Sequence, residues 1–502
     1  MEWLNIVCDC LNADRTIAIV SLIIAIVGLF ITFKAWNSAK EANKNTKEIL
    51  TDIQKTTRTI KILLENLISK IVKENPNPND LLPNDIKTIK AYDEINTNPQ
   101  TAEELFLKGY AAQTKNEYEN AIEYYKKAIE LKPDEPVPYN NMGNAYQNWN
   151  GQYEKATECF EKAIECYEKA IKLKPNYADA YYNMGNAYQN WNGQYEKAIE
   201  CYKKAIELNP DDAVAYNNMG NAYGTGLQQY EKTIECYKKA IELKPDYADA
   251  YYNMGNAYGT GLQQYKKAIE CYEKAIELKP DDADAYYNMG NAYGTGLQQY
   301  EKAIECYKKA IELKPDYADA YNNIGVAYEK GLQQYKKAIE CYEKAIELKP
   351  DDAVAYYNMG YAYDDWKGQY EKAVECYEKA IELKPDYAEA YNNMGLAYNN
   401  WKRDYEKAIK CYEKAIELKP DDADAYYNMG NAYANWNGQY EKAIECYEKA
   451  IELKPDDADA YYNMGLAYAE LGDNEQAIAS MKQAEQLGDE PAKQWLEENG
   501  IK

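Results

Sequence analysis

Ten asparagines recur at matching places along the chain: Asn141, Asn183, Asn218, Asn253, Asn288, Asn323, Asn358, Asn393, Asn428 and Asn463. From Asn183 onward each follows the last by 35 residues. A second position, three residues further on, is Asn in six of the ten copies, Asn186, Asn221, Asn256 and Asn291 among them. It is Val326, Tyr361, Leu396 and Leu466 in the other four. Within one copy, Asp179, Asn183, Asn186 and Asn190 are spaced by four, three and four residues, which aligns them on one side of a helix. A carboxamide offers both donors and an acceptor, so such a ladder matches the N–H and C=O of an extended peptide. Two other origins leave the same pattern: duplication of a solvated polar residue, or hydrogen bonding between neighbouring helices.

Other reactive residues point away from catalysis. The 502-residue chain has no histidine, which removes Ser-His-Asp and Cys-His chemistry and every His-ligated metal site. Of the twelve cysteines, Cys159 and Cys166 begin a series that continues every 35 residues to Cys446. That is one repeat position, not a disulfide framework or a metal pair. Cys201 shares its stripe with Ala198, Ala205 and Leu208, which reads as small core residues. Cys8 and Cys10 read as idle thiols. Trp149, Trp191, Trp366, Trp401 and Trp436 mark helix turns and are expected to pack. The many carboxylates repeat in register and read as a solvated face. The expectation is a non-enzyme, with no catalytic residue, no metal and no cofactor.

The elements that carry the ladder are short amphipathic helices. In the copy from Ala178 to Asp212, the residues Ala180, Tyr181, Met184, Gly185, Ala187 and Tyr188 share one helical face. A second helix, Tyr195 to Leu208, presents Tyr195, Ala198, Ile199, Tyr202, Ala205 and Ile206. Asn209-Pro210 ends it, because proline cannot continue a helix interior. The glycine of the first helix recurs from Gly109 and Gly143 to Gly465, with a period of 35 from Gly185 onward. The step from Gly143 to Gly185 is 42, the surplus being a duplicated heptad, 155–161 followed by 162–168. Neither helix can bury its apolar face alone, so stacking must complete the core.

This pattern resembles the tetratricopeptide repeat (TPR) family. In the first unit Leu105, Gly109, Tyr110, Ala121, Tyr125, Ala128 and Pro133 fall where that family expects bulky, Gly, aromatic, Ala, aromatic, Ala and Pro residues. The middle units carry one extra residue in the turn, as in Trp191-Asn-Gly193 or Gly226-Leu-Gln228, expected to alter the turn more than the stacking. The resemblance implies an all-α, right-handed solenoid of about eleven hairpins over 101–488, closed by a helix at 489–502 bearing Trp495 and Leu496. It also implies that the first helices line a concave groove, where a ladder of this kind would grip peptide backbone. No Lys or Arg occupies the positions matching Asn186 and Tyr182, so a clamp for acidic C-termini is not expected.

Ahead of the repeats, residues 16–33 carry no charge, and 16–36 would span about 31 Å as a helix, close to a bilayer core. The segment reads as a transmembrane helix rather than a cleaved signal peptide. Lys34, Lys40, Lys44 and Lys47 follow it while only Arg15 precedes it, so 1–15 is expected outside and the array in the cytoplasm. Residues 37–73 read as a juxtamembrane helix, whose seam of Leu50, Ile53, Thr57, Ile60, Leu64, Leu67 and Ile71 serves either as a coiled coil pairing protomers through 46–71 or as a stalk. A Pro-Asn linker over 74–100 follows.

The net charge of −25 falls wholly in residues 101–502, which hold 46 basic and 71 acidic side chains. Such an array repels phosphate, so nucleic acid is not an expected partner, and a neutral or basic protein segment is. The expected function is a membrane-anchored scaffold or receptor; the alternative is a structural spacer or self-assembling rod.

Overall fold

The computed structural model describes residues 99–501 apart from 150–152, 192, 367 and 402. The transmembrane helix expected at 16–36, the helix at 37–73 and nearly all of the linker at 74–100 lie outside the described residues. Within them there are 23 α-helices and no strand, and no helix is long and apolar enough to cross a membrane. The helices form eleven successive hairpins, numbered here as repeats 1 to 11, each with a helix A and a helix B. A last helix, Glu490–Glu498, follows the eleventh.

Repeat 3 shows how the sequence makes a hairpin. Helix A is Ala178–Asn190 and helix B is Tyr195–Leu208. Gly185 exposes bare backbone to the ring of Tyr202, and a Cβ there would stand 2.7 Å from Tyr202 Cε1. Removing that one carbon lets a fully buried tyrosine lie against helix A. The same contact recurs at Gly143 with Tyr167 and at Gly290 with Tyr307. Around it pack the small residues Ala187, Ala198 and Ala205. The stripe of Cys201 is buried as far as Ala205, but Leu208, expected with it, is 37 % exposed. It is the last helical residue, where the chain turns away into Asn209-Pro210.

Duplicated and inserted residues are absorbed without disturbing this contact. Helix B of repeat 2, Tyr153–Leu173, has 21 residues where that of repeat 3 has 14, so the extra heptad adds about two turns. In repeats 4 to 7 helix A widens at its end into a π turn, at Ala222–Gly226, Ala257–Gly261, Ala292–Gly296 and Ala327–Gly331. A π turn holds one more residue than an α turn. It leads into Gln228, Gln263, Gln298 or Gln333, each with φ of 52–54°. Gly220 nevertheless still lies against Tyr237, as Gly185 does against Tyr202.

From repeat 3 to repeat 10, helix A starts alternate between two devices. Asp212, Asp282, Asp352 and Asp422 cap their helices, the side chain accepting from backbone N–H groups two or three residues on. The intervening repeats have tyrosine there. Tyr317 instead stacks on Tyr287 at 4.8 Å and donates to Asp284 Oδ1 at 2.8 Å.

The described residues form two compact units that part after Asn253. The first is centred on a mixed aromatic core of Phe106, Tyr110, Tyr125, Phe160 and Tyr167. The second repeats a smaller motif, such as Ala303, Ile304, Tyr307, Ala320, Ile324 and Ala327.

Candidate functional site

The asparagine ladder lies along the helices A, and its amides face the repeat before. In the first unit, Asn183 Nδ2 donates to Asn140 Oδ1 at 3.1 Å and Asn253 Nδ2 to Asn217 Oδ1 at 3.2 Å. Asn218 Nδ2 donates to the Tyr182 hydroxyl at 2.9 Å and to Asn186 Oδ1 at 3.1 Å. In the second unit, Asn323 Nδ2 reaches the Tyr287 hydroxyl and Asn291 Oδ1, both at 3.0 Å, and Asn358 Nδ2 reaches Asn322 Oδ1 at 3.0 Å. Asn393, Asn428 and Asn463 donate to Tyr357, Asn392 and Tyr427 at 2.8–3.2 Å. Asn288 Nδ2 donates to Asn256 Oδ1 at 3.1 Å.

The second asparagine position serves the hairpin itself. Asn186, Asn221, Asn256 and Asn291 each accept from the helix B tyrosine of their own repeat, Tyr202, Tyr237, Tyr272 and Tyr307, at 2.6–2.8 Å. Of the readings that the sequence left open, hydrogen bonding between neighbouring helices therefore describes how these amides are held. It does not use up the face. Asn141 and Asn183 are buried, but Asn218, Asn253, Asn288, Asn323, Asn358, Asn393, Asn428 and Asn463 are only half-buried. A side chain held by hydrogen bonds and still only half-buried is a preorganised polar surface.

Sequence reasoning missed the acceptors in this network. The position just before the ladder is either Tyr, as in Tyr182, Tyr287, Tyr357 and Tyr427, or Asn, as in Asn140, Asn217, Asn322 and Asn392. Those two residue types share the ability to accept from an amide, which was the available signal.

Four of the ladder repeats lack the second asparagine; in repeat 11, which has Leu466, Met481 also replaces the helix B tyrosine, and the other three keep that tyrosine. With Val326 in the second position, the Tyr342 hydroxyl donates instead to Glu329 Oε2 at 2.8 Å. With Tyr361 there, the buried Tyr377 hydroxyl has no partner. With Leu396 there, Asn399 Oδ1 is likewise buried and unpaired. Burial pushes the Glu329 carboxyl up to about 7, against the hydrogen bond from Tyr342 and the nearby Lys330 ammonium, with Asp365 adding to the rise. Burial, then Asp365, pushes Asp364 up to about 6.

The repeated thiols are held unreactive. Burial pushes the thiols of Cys201, Cys236, Cys306, Cys376, Cys411 and Cys446 up to about 12, so none is a thiolate near neutrality. Among the described residues no group of acidic or cysteine side chains is arranged to hold a metal ion.

The chain belongs to the tetratricopeptide repeat family. A TPR repeat model matches residues 109–148, 227–261, 262–296, 297–331, 332–364, 367–400, 403–435 and 437–472. Other tetratricopeptide repeat models match 134–211, 201–235 and 458–487. Repeats of this family form scaffolds for protein–protein interaction, typically non-enzymatic, and that is the class of protein this array defines. An uncharacterized protein of Methanocaldococcus jannaschii is 38 % identical over 66 residues, which are 13 % of this chain and 76 % of that protein. Among solved structures, YrrB, described as a TPR protein with an unusual peptide-binding site, is 30 % identical, with 38 % of this chain and 96 % of that chain covered and a TM-score of 0.32. MamA from Desulfovibrio magneticus is 28 % identical, covering 35 % and 96 %, at a TM-score of 0.32. Yeast Tom70 is 18 % identical, covering 78 % and 93 %, at a TM-score of 0.38.

Proposed function

We propose that the protein is a membrane-anchored scaffold whose helix A face binds extended protein segments in the cytoplasm. The observation that carries the binding reading is the half-open row of carboxamides, each oriented by a hydrogen bond to the preceding repeat. Such amides meet a peptide backbone without first losing side-chain freedom. Recognition through backbone tolerates many sequences, so selectivity falls to positions that vary between repeats. The excess of acidic side chains favours neutral or basic segments. Anchoring rests on the uncharged stretch within 16–36, and orientation on the lysines after it.

The test is selection of displayed random dodecapeptides on the detergent-solubilised full chain. Parent protein is compared with variants on helix A, Asp319→Ala and Tyr361→Ala, and on the exposed side of helix B, Lys344→Ala and Glu347→Ala. Peptide retention lowered by the helix A changes alone supports the groove. Loss from the helix B changes alone, or self-association without any peptide, sinks it, the latter in favour of a rod.

A further inference from the structure

Helix A of repeat 8, Ala353–Asp365, exposes apolar side chains as well as burying them. Ala355, Gly360 and Ala362 are buried against the rest of the array. Val354, however, is 46 % exposed and Tyr361 is 37 % exposed. Seven residues apart, they share one stripe of the helix, with Tyr357 and Asn358 between them. In the repeats on either side the place of Val354 is taken by Asp319 and Glu389, both exposed. The place of Tyr361 is Asn in repeats 2 to 6 and in repeat 10. Val214 in repeat 4 is exposed as well, but Asn221 stands seven residues after it. Among the described residues no other helix A has two exposed large apolar side chains.

Tyr361 is unfavourable for the fold in two ways. An asparagine in its place would accept from the buried hydroxyl of Tyr377, as Asn291 accepts from Tyr307 at 2.8 Å. The Tyr377 hydroxyl instead has no partner, which is destabilising for a buried polar group. The ring of Tyr361 also leaves apolar surface in water. The ladder changes with it. Asn323 has two acceptors, Tyr287 and Asn291. Asn393 donates to the Tyr357 hydroxyl at 2.9 Å and has Tyr361 where its second acceptor would stand. Asn393 is half-buried, and the ring of Tyr357 lies 4.9 Å from that of Tyr387. An amide short of one acceptor thus adjoins an aromatic surface.

We propose that Val354, Tyr357 and Tyr361 form a seat for one leucine or aromatic side chain of a protein segment lying along the helix A face, with a lysine or arginine beside that residue. The inference rests on the groove reading above and adds a fixed point to it: backbone contacts set no register, and this seat does. The incoming side chain covers Val354 and Tyr361, while Asn393 donates to the backbone of the segment. Asp319 and Glu389 flank the seat on both sides, with Lys419 Nζ 3.8 Å from Glu389. Those flanks favour a cation next to the seated residue and disfavour a carboxylate.

The dodecapeptide selection tests this on the detergent-solubilised full chain. The parent is run beside Tyr361→Asn and Val354→Asp/Tyr361→Asn, which install the residues of other repeats, and beside Val214→Asp as a control. The parent and the control should select one apolar column with a basic neighbour. That column should fade with Tyr361→Asn and vanish in the double variant. A synthetic peptide of the selected sequence should bind the parent about tenfold better than its alanine counterpart, and the double variant should not distinguish them. Tyr361→Asn should also melt about 2–4 °C above the parent, because Tyr377 regains an acceptor, which separates lost binding from a damaged fold. Peptides selected without an apolar column, or with the same column in all four proteins, overturn the seat and leave the groove standing. Self-association of the parent that the double variant abolishes overturns it too, making the stripe a contact between copies. Selection of no peptide by any protein overturns both readings.

Discussion

The amide of Asn323 donates to the hydroxyl of Tyr287, 3.0 Å away in the repeat before. That bond ties two helices A together while Asn323 stays only half-buried. It makes a recurrent residue both a joint and a surface. Asn323→Ala should therefore cost about 1–2 kcal/mol locally, because it also leaves Asn291 without one of its donors. Hydrogen exchange should show lost protection in helices A of repeats 6 and 7. In a double-mutant cycle with Tyr287→Phe the two effects should fall short of additive; strict additivity would mean that the bond contributes nothing.

Gly290 allows Tyr307 to approach so closely that a Cβ would stand 2.6 Å from its Cε1. Gly290→Ala should destabilise the second unit by about 1–3 kcal/mol, since a buried ring has no free space to move into. Thermal melting followed by circular dichroism measures this. Adding Tyr307→Leu should relieve part of the loss, and a Gly290→Ala protein that melts with the parent would show the contact to be unimportant.

The hairpins, their glycines and the stripe of buried cysteines were legible in the sequence, because each rests on a residue type repeated at a fixed interval. The Asn face was legible as a position but not as a geometry. Which way Asn218 donates depends on Tyr182, 36 residues earlier, and pairing across that separation leaves no local pattern. The π turns were visible only as one surplus residue. Leu208 was misplaced because helical periodicity says nothing of where a helix ends. The unpaired Tyr377 was out of reach altogether, since it is defined by an asparagine that its own repeat lacks.

Stability should depend on pH through Glu329. Its carboxyl sits at about 7 in the folded chain against 4.5 in the ordinary state, so the native protein keeps a proton that the unfolded chain releases. Stabilisation from this group is full below about pH 4.5 and is lost as pH rises to about 7. Asp364, raised from 3.8 to about 6, acts in the same direction; Tyr342, Lys330, Asp365, Tyr357 and Tyr361 are further charged or titratable groups around Glu329. Glu329→Gln removes the larger slope. Urea unfolding of the parent and the variant should diverge between pH 5.5 and 8, the variant gaining about 1–3 kcal/mol at the higher pH. Parallel behaviour at both values would show that Glu329 titrates normally.

The thiols give a reading of topology. Those from Cys201 to Cys446 are buried or half-buried, and burial pushes up the thiols of Cys201, Cys236, Cys306, Cys341, Cys376, Cys411 and Cys446, so a folded array should react with maleimide far more slowly than an exposed thiol. Cys8 and Cys10 stand ahead of the proposed anchor. A membrane-impermeant maleimide applied to intact cells should label these two and little else, and Cys8→Ser/Cys10→Ser should abolish the signal. Labelling that requires permeabilisation would invert the proposed orientation.

Because the ladder asparagine donates to a tyrosine hydroxyl or to another asparagine, this bond forms whichever of the two residues the preceding repeat supplies. The joint is indifferent to its neighbour. Unequal recombination among near-identical copies can then lengthen or shorten the array by whole repeats without creating a mismatched interface. Array length becomes a quantity that evolution can adjust freely. Repeats 7 to 9 are the exception, since their acceptors are not interchangeable with those of other copies. Insertions on either side would move that stretch along the array as a unit.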